Sequence, residues 1–246
     1  MPGKSLNVYG VDICLRRRLA TMARDVKAHR GLTTERVVDA ALRAADEGGI
    51  EAVSLRRLAG ALEVTPMAIY RHVRNKSHLL DLMAERLLDQ VDLAPVEAAT
   101  WQDRLRRLLA SFQAVAAAHP ATALLLSRPF VSPAALRVSE ALLATLHGAG
   151  FDAGQSVRLL QVITGIVLGP AINRATWAAA SRDRPPDADR QQASTEWLSA
   201  GELPYLAGAT DQFMDWPAGA DADRLTIELL VGGLEALAAE PHRGGA

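Results

Sequence analysis

LTTERVVDAALRAADEGGIEAVSLRRLAGALEVTPMAIYRHVRNKSHLLDLM, residues 32–83, decides the fold. Thr33 or Thr34 is placed to cap a first helix. In it Val37, Val38, Ala41, Leu42 and Ala45 recur at three- and four-residue spacing, and Gly48-Gly49 ends it. Ser54 caps a second helix whose Leu55, Leu58, Ala59 and Leu62 make one apolar face. After Glu63-Val64, Thr65 and Pro66 open a short third helix, because threonine is a good N-cap and proline suits the first helical position. Asn75 caps a fourth, which runs through His78-Leu79-Leu80 to about Val91.

Two short helices joined by a tight turn are, taken alone, an ordinary helical corner. The polar side of the third helix argues for more. On a wheel of roughly 100° per residue, Ile69 and Val73 fall together and face a core, while Met67, Tyr70, Arg71 and Arg74 point the other way. Between Ser54 and His78 stand five Lys/Arg and one acid, Glu63. Hydrogen-bond donors, a flat aromatic and positive charge on one exposed helical face suit the major groove of DNA, which admits a single α-helix between two rows of phosphates.

The stretch resembles the N-terminal domain of the tetracycline-repressor (TetR) family. The residues that carry the resemblance are the Thr-led first helix with Ala40-Ala41-Leu42, Gly49-Ile50, Ser54 to Ala59, Ile69 to Val73, and Asn75-Lys76 before Leu79-Leu80. It implies a helix-turn-helix reader, and together with the helix wheel and cap it gives Arg56, Thr65, Pro66, Met67, Tyr70, Arg71, His72 and Lys76 as the expected DNA-contacting set. Arg56, Pro66, Met67 and Tyr70 match positions that meet bases or the sugar-phosphate edge. Tyr70, His72 and Lys76 match phosphate-clamping positions, Lys76 beside the N-terminal dipole of the fourth helix. The competing readings are a half-buried core phenol for Tyr70, a cap of the third helix for His72, and solvated charges for Arg71 and Arg74. Glu63 stands where the family usually has glycine in the turn. Glutamate tolerates positive φ poorly, so a slightly different turn is expected.

Working outward, residues 1–30 form a basic extension with Arg16-Arg17-Arg18, Arg24, Lys27 and Arg30, expected to be flexible. The reader is expected over 31–91, and a linker with Pro95 over 92–99. A larger helical domain follows over 100–240. Thr100 caps a helix of about 101–118, Ser132-Pro133 starts another that stops at Gly148 or Gly150, and 152–180 is a long helix apolar on almost every side. Residues 182–223, rich in Pro, Asp, Gly and Ala, read as an irregular excursion, and a last helix covers about 224–239. That last helix carries two apolar stripes. Ile227, Leu230, Val231, Leu234 and Ala238 form one, and Leu225, Leu229, Gly232, Gly233 and Ala236 the other. A monomer buries one stripe, so the second calls for a partner. A four-helix bundle from two copies, which uses this helix and the one from 152, makes a homodimer, as the family resemblance also implies.

In this second half Trp101-Gln102, Phe112, Ser127-Arg128-Pro129 and Val167-Leu168-Gly169 follow the layout of the family's tetracycline-sensing domain. Where that domain holds a metal-chelated drug with a histidine and a glutamate, this chain has Leu124 and Asn173. Neither offers charge to a divalent cation, so no metal and no cofactor are expected. The candidate ligand pocket is Trp101, Phe112, Leu124, Leu125, Phe130, Asn173 and Trp177, with Trp197 as a further candidate. Its expected occupant is a mostly apolar small molecule.

Composition agrees with an all-α chain: 49% of the 246 residues are hydrophobic but only 4% aromatic, and alanine and leucine do most of the filling. The net charge of −1 hides an asymmetry, 15 Lys/Arg against 11 Asp/Glu up to residue 90 and 12 against 17 beyond it. A polyanion is drawn to the first part. One cysteine, Cys14, excludes an internal disulfide framework. No apolar leader opens the chain, and the longest unbroken apolar or small run, 162–172, is about half a membrane span. A soluble cytoplasmic protein without membrane contact is the expectation. No H-E-x-x-H, G-x-S-x-G or P-loop occurs, and Gly148-Ala149-Gly150 lacks a third glycine and a strand before it, which leaves an enzyme unsupported. The readings that remain are a ligand-responsive regulator, most often a repressor, and a constitutive architectural DNA-binding dimer.

Overall fold

A computed structural model of the chain describes residues 31–94, 100–128, 132–183, 196, 203–209 and 221–239. The basic extension, Phe130, Trp197 and most of the 182–223 excursion lie outside these residues. Every regular element described is helical, and the fold is all-α: a helix-turn-helix domain followed by a larger helical domain.

The first four helices start where their capping residues stand. Helix α1 (Thr34–Gly48) begins after Thr33, whose Oγ1 accepts the Arg36 N–H at 3.3 Å, and ends at Gly49 with φ 79. Helix α2 (Leu55–Ala61) is capped by Ser54, and α3 (Pro66–Tyr70) by Thr65, which accepts the Ala68 N–H at 3.3 Å. Helix α4 (Lys76–Leu88) starts after Asn75, whose side-chain oxygen accepts the His78 N–H at 2.9 Å. Val37, Val38, Ala41, Leu42 and Ala45 of α1 are buried, with Leu58 and Ala59 of α2, Ala68, Ile69 and Val73 of the α3 region, and Leu79 and Met83 of α4. Each large apolar side chain taken from water here contributes roughly 1.5–3 kcal/mol.

By contact density the chain falls into two units, which divide between Met83 and Ala84. The division lies inside α4 and not in the 92–99 segment, because the last turns of α4 are tied into the second unit. Glu85 accepts the Ala134 N–H at 3.0 Å, and Asp89 pairs with Arg137 at 2.6 Å. Helix α4 ends at Leu88, earlier than its expected run to Val91; Gln90 and Val91 continue only as tighter turns onto Leu87 and Leu88. Asp92 is anchored too. Its N–H donates to Ser111 Oγ at 2.7 Å, and its carboxylate meets Arg107 at 2.6 Å, a bond that holds it below the ordinary carboxylate range.

In the second unit α5 (Trp101–Ala118) opens with a capping box between Thr100 and Asp103. A 3₁₀ segment (Pro120–Ser127) follows, then α6 (Pro133–Gly148), the long α7 (Ala153–Asp183) with Pro170 inside it, a short α8 (Pro204–Ala207) and α9 (Asp221–Ala239). Helix α9 is tied to α5 by Arg106–Glu228 at 3.0 Å and Gln102–Glu235 at 3.0 Å. Arg106 lowers the Glu228 carboxyl, chiefly through their hydrogen bond, but both side chains are well exposed and solvent screens the pair. Taken whole, α7 is long and apolar enough to cross a membrane; the unbroken-run reading missed this because polar residues interrupt the run. Its Ile163, Val167, Leu168 and Ala171 are nevertheless buried within the second unit.

The turn between α2 and α3 departs from expectation. Glu63 itself adopts φ 54, so the chain keeps the left-handed geometry despite the wrong residue for it. Around it Glu63 N–H donates to Gly60 O at 3.1 Å and Val64 N–H to Ala59 O at 2.9 Å, and these bonds over-determine the turn. A side chain in this region is disfavoured by roughly 1–2 kcal/mol relative to the right-handed one. Glu63→Gly is therefore expected to raise stability by about 1 kcal/mol, read as a higher urea midpoint of the full chain at unchanged slope. An unchanged or lower midpoint shows that the turn carries no strain.

Candidate nucleic-acid interface and ligand cavity

The two faces of α3 differ in exposure. Ile69 and Val73 are fully buried against the rest of the reader, whereas Met67 is 70% and Tyr70 50% exposed. Pro66, Arg71, Arg74 and Lys76 are exposed around them, as is Arg56 on α2. Tyr70 is half exposed, with Met67 beside it as the more open of the two. Thr65 is half-buried, and its hydroxyl is spent on the cap of α3.

His72 caps nothing. Its backbone N–H donates to Ile69 O at 2.9 Å, and its Nδ1 lies 3.3 Å from the Thr34 hydroxyl at the start of α1. Two residues that were assigned no role at this surface from the sequence help to shape it, Thr34 and His78. His78 Nδ1 accepts the Arg74 N–H at 3.2 Å and so closes the turn into α4. Only a contact map could reveal Thr34, since it and His72 are 38 residues apart. The set thus presents three cationic side chains (Arg56, Arg71, Lys76), an aromatic hydroxyl and an imidazole from α2, α3 and the start of α4.

In the second unit a partly open cavity of about 100 Å³ is lined by four helices and the 3₁₀ segment. Leu88 comes from α4, Leu108, Leu109 and Phe112 from α5, and Leu126 from the 3₁₀ segment. Helix α6 adds Ala135, Val138, Ser139 and Leu142, and α7 adds Leu160, Ile163, Thr164 and Val167. The wall holds no charged group. The Thr164 hydroxyl donates to Leu160 O at 2.8 Å, so Ser139 is the wall's one hydroxyl without a hydrogen bond to the described residues. A wider cleft of about 450 Å³ lies between α5 and α9, but it is open and rimmed by Arg106, Glu228, Asp223 and Arg224.

Of the pocket residues expected from the sequence, Phe112 lines this cavity and Phe130 lies outside the described residues. Trp101 stands at the start of α5, some three turns from Phe112. Leu124 is 50% exposed and Leu125 is buried outside the wall, for a reason of geometry. In a 3₁₀ helix every third side chain is in line. Thr122 with Leu125 and Ala123 with Leu126 make the two inward rows, and Leu124 falls on the outer one. On α7, Asn173 and Trp177 sit roughly 240° and 280° round the helix from Val167, and both are exposed, Trp177 to 58%. Leu124 and Asn173 are not brought together against the cavity, and the described residues contain no group of three side chains able to hold a metal ion.

Comparison with known proteins bears on both units. Residues 37–83 match the family described as bacterial regulatory proteins, tetR family, and residues 94–237 match the tetracyclin repressor-like C-terminal domain. An HTH-type transcriptional regulator of Saccharopolyspora erythraea is 30% identical over 211 residues, 84% of this chain and 86% of that protein. The HTH-type transcriptional repressor DrrR1 of Streptomyces coeruleorubidus is 30% identical over 218 residues, 85% of this chain and 79% of that one. Among solved structures, ActR of Streptomyces coelicolor in complex with actinorhodin superposes with a TM-score of 0.63 at 26% identity, covering 85% of this chain and 98% of that one. Two domain matches in the family's order, with relatives alike along most of their length, make the chain a member of the TetR family of DNA-binding transcriptional regulators.

Proposed function

We propose that this regulator is a cytoplasmic repressor that binds a pseudo-palindromic operator as a homodimer and is released by a mostly apolar small molecule without a metal. The observation that carries this is the course of α4. One continuous helix of 13 residues starts at Lys76, on the reader surface, and places Leu88 in the cavity wall. The cavity is below the roughly 300 Å³ of a drug-sized site, so a ligand of that size enters only by pushing its walls apart. On this reading Leu88 is the part of the wall that gives way, and α4 moves with it. A ligand preference for the displaced arrangement of about 1–3 kcal/mol weakens operator binding some 5–150-fold. The uncharged wall selects an uncharged, ring-bearing molecule, with the Ser139 hydroxyl free to meet one polar atom of it. DrrR1, a repressor by name, and ActR, solved with actinorhodin, support the reading by analogy. An architectural binder would have no use for such a cavity.

Dimerisation rests on the outward faces of α7 and α9. Leu229 is 75% exposed, with Leu225 and Leu237 beside it on α9 and Val157, Val162 and Ile166 on α7. Gly165, Gly232 and Gly233 have open space where a Cβ would stand, which permits close helix approach. A second copy covers these faces as a four-helix bundle. One five-residue reader helix per subunit spans a single half-site, so two half-sites about one helical turn apart are needed.

Lys76→Ala is expected to weaken binding to all sequences and to lower the salt slope by about one unit, as loss of one phosphate contact does. Arg56→Ala should instead lose discrimination at one base pair, at about 1–3 kcal/mol. Binding curves across a set of operator variants and salt concentrations separate the two; parent-like curves for both remove their assigned roles. Leu229→Glu places a carboxylate in the apolar seam and is expected to abolish operator binding with the reader intact. Sedimentation that shows a stable, operator-bound dimer of this variant excludes the seam. For the whole reading, polycyclic apolar compounds are screened for operator release with and without EDTA. Release in the presence of EDTA is the expected result; release that requires a divalent metal overturns the metal-free reading, and a cavity that takes no compound leaves the architectural one.

A further inference from the structure

We propose that Thr34 is a positioning residue for His72, holding the imidazole in the tautomer that presents Nε2–H to a DNA phosphate. The inference rests on the DNA-binding reading of the α3 surface and adds to it a residue on another helix. Thr34 Oγ1 and His72 Nδ1 are 3.3 Å apart in a partly buried contact. The two neighbouring threonines have separate tasks. Thr33 caps α1 by accepting the Arg36 N–H, so the cap does not need Thr34. A threonine inside a helix commonly bonds back to the carbonyl of the preceding turn, but Thr34 is the first helical residue and has no such turn behind it. Its hydroxyl is free to bond across to the reader.

On the other side of the contact the His72 backbone is already fixed. The N–H groups of His72 and Val73 both reach Ile69 O at 2.9 Å, so what remains to be set is the ring. A hydroxyl that donates to Nδ1 leaves the proton of the neutral ring on Nε2. Phosphate oxygens only accept, so this tautomer can bond to DNA through the nitrogen that Thr34 does not occupy. His78 makes the contrast: its Nδ1 is used within the turn by Arg74. Tyr70, Arg71 and Lys76 are exposed in the same stretch and complete an anion-facing surface around His72.

The test compares Thr34→Val, which keeps the shape and removes the hydroxyl, with Thr34→Ser, which restores it. Operator affinity is measured by fluorescence anisotropy at fixed salt. The ring tautomer is read from long-range ¹H–¹⁵N correlation spectra of the free full-length protein. Thr34→Val is expected to weaken binding roughly threefold to tenfold, the range of one hydrogen bond, and Thr34→Ser to recover it. In a His72→Gln background Thr34→Val should add nothing. The parent ring should be the Nε2–H form, and Thr34→Val should mix the two tautomers. An Nδ1–H ring in the parent, or a loss that persists in the His72→Gln background, overturns the proposal. A parent that binds operator and is indifferent to His72→Gln overturns it while leaving the regulator reading intact. A parent that binds no DNA sinks that reading instead, and the tautomer spectra still decide what Thr34 does to the ring.

Discussion

Helix α3 has five residues, fewer than two turns, and a peptide of that length does not hold a helix in water. It exists because Ala68, Ile69 and Val73 are fully buried against the rest of the reader, and because Thr65 and Pro66 fix where it begins. That anchorage is the constraint on which the rest depends. The buried side of α3 dictates which residues are left outward, and the outward set is the one with Tyr70, Arg71 and Met67. The turn before it must reverse the chain tightly, which is why Glu63 is driven into a backbone region that suits glycine.

The second unit resolves a different conflict. It leaves a gap among its helices and yet must pack. Its cavity is small and uncharged, with walls contributed by α4, α5, α6, α7 and the 3₁₀ segment. The last turns of α4 are held there by polar ties as well as by Leu88. Glu85 caps the start of α6, Asp89 reaches Arg137, and Asp92 is bonded to Ser111 and Arg107. The polar ties are directional and give α4 a defined place beside α6, where the apolar wall alone would let it slide.

Legibility from the sequence followed the range of the forces involved. The caps Thr33, Ser54, Thr65, Asn75, Thr100 and Ser132, the apolar stripe of α1 and the inward pair Ile69 and Val73 are local features, and the structure places them as periodicity and cap chemistry suggest. The cavity was less legible. Ala135, Val138, Ser139 and Leu142, like Leu160, Ile163, Thr164 and Val167, fall at helical spacing and look the same as solid core. Nothing in spacing tells a filled interior from an unfilled one. Leu124 falls outside this cavity's wall because the 3₁₀ winding of 120–127 alters which residues share a side, and Asn173 and Trp177 because they stand on another side of α7 from Ile163 and Val167. Thr34 was invisible because its partner lies 38 residues away.

The continuity of α4 bears on how such a chain can change over generations. Substitutions in the walls on α5, α6 and α7 reshape the cavity one side chain at a time and leave the backbone alone. A change in the length of α4 acts differently. One residue gained or lost between Lys76 and Leu88 turns one end against the other by roughly 100° and shifts it by about 1.5 Å. On the proposed reading, that alters what a displaced Leu88 does at Lys76. Point substitution in the walls, on the same reading, changes which ligand fits, whereas a change in the length of α4 changes how its binding is passed on.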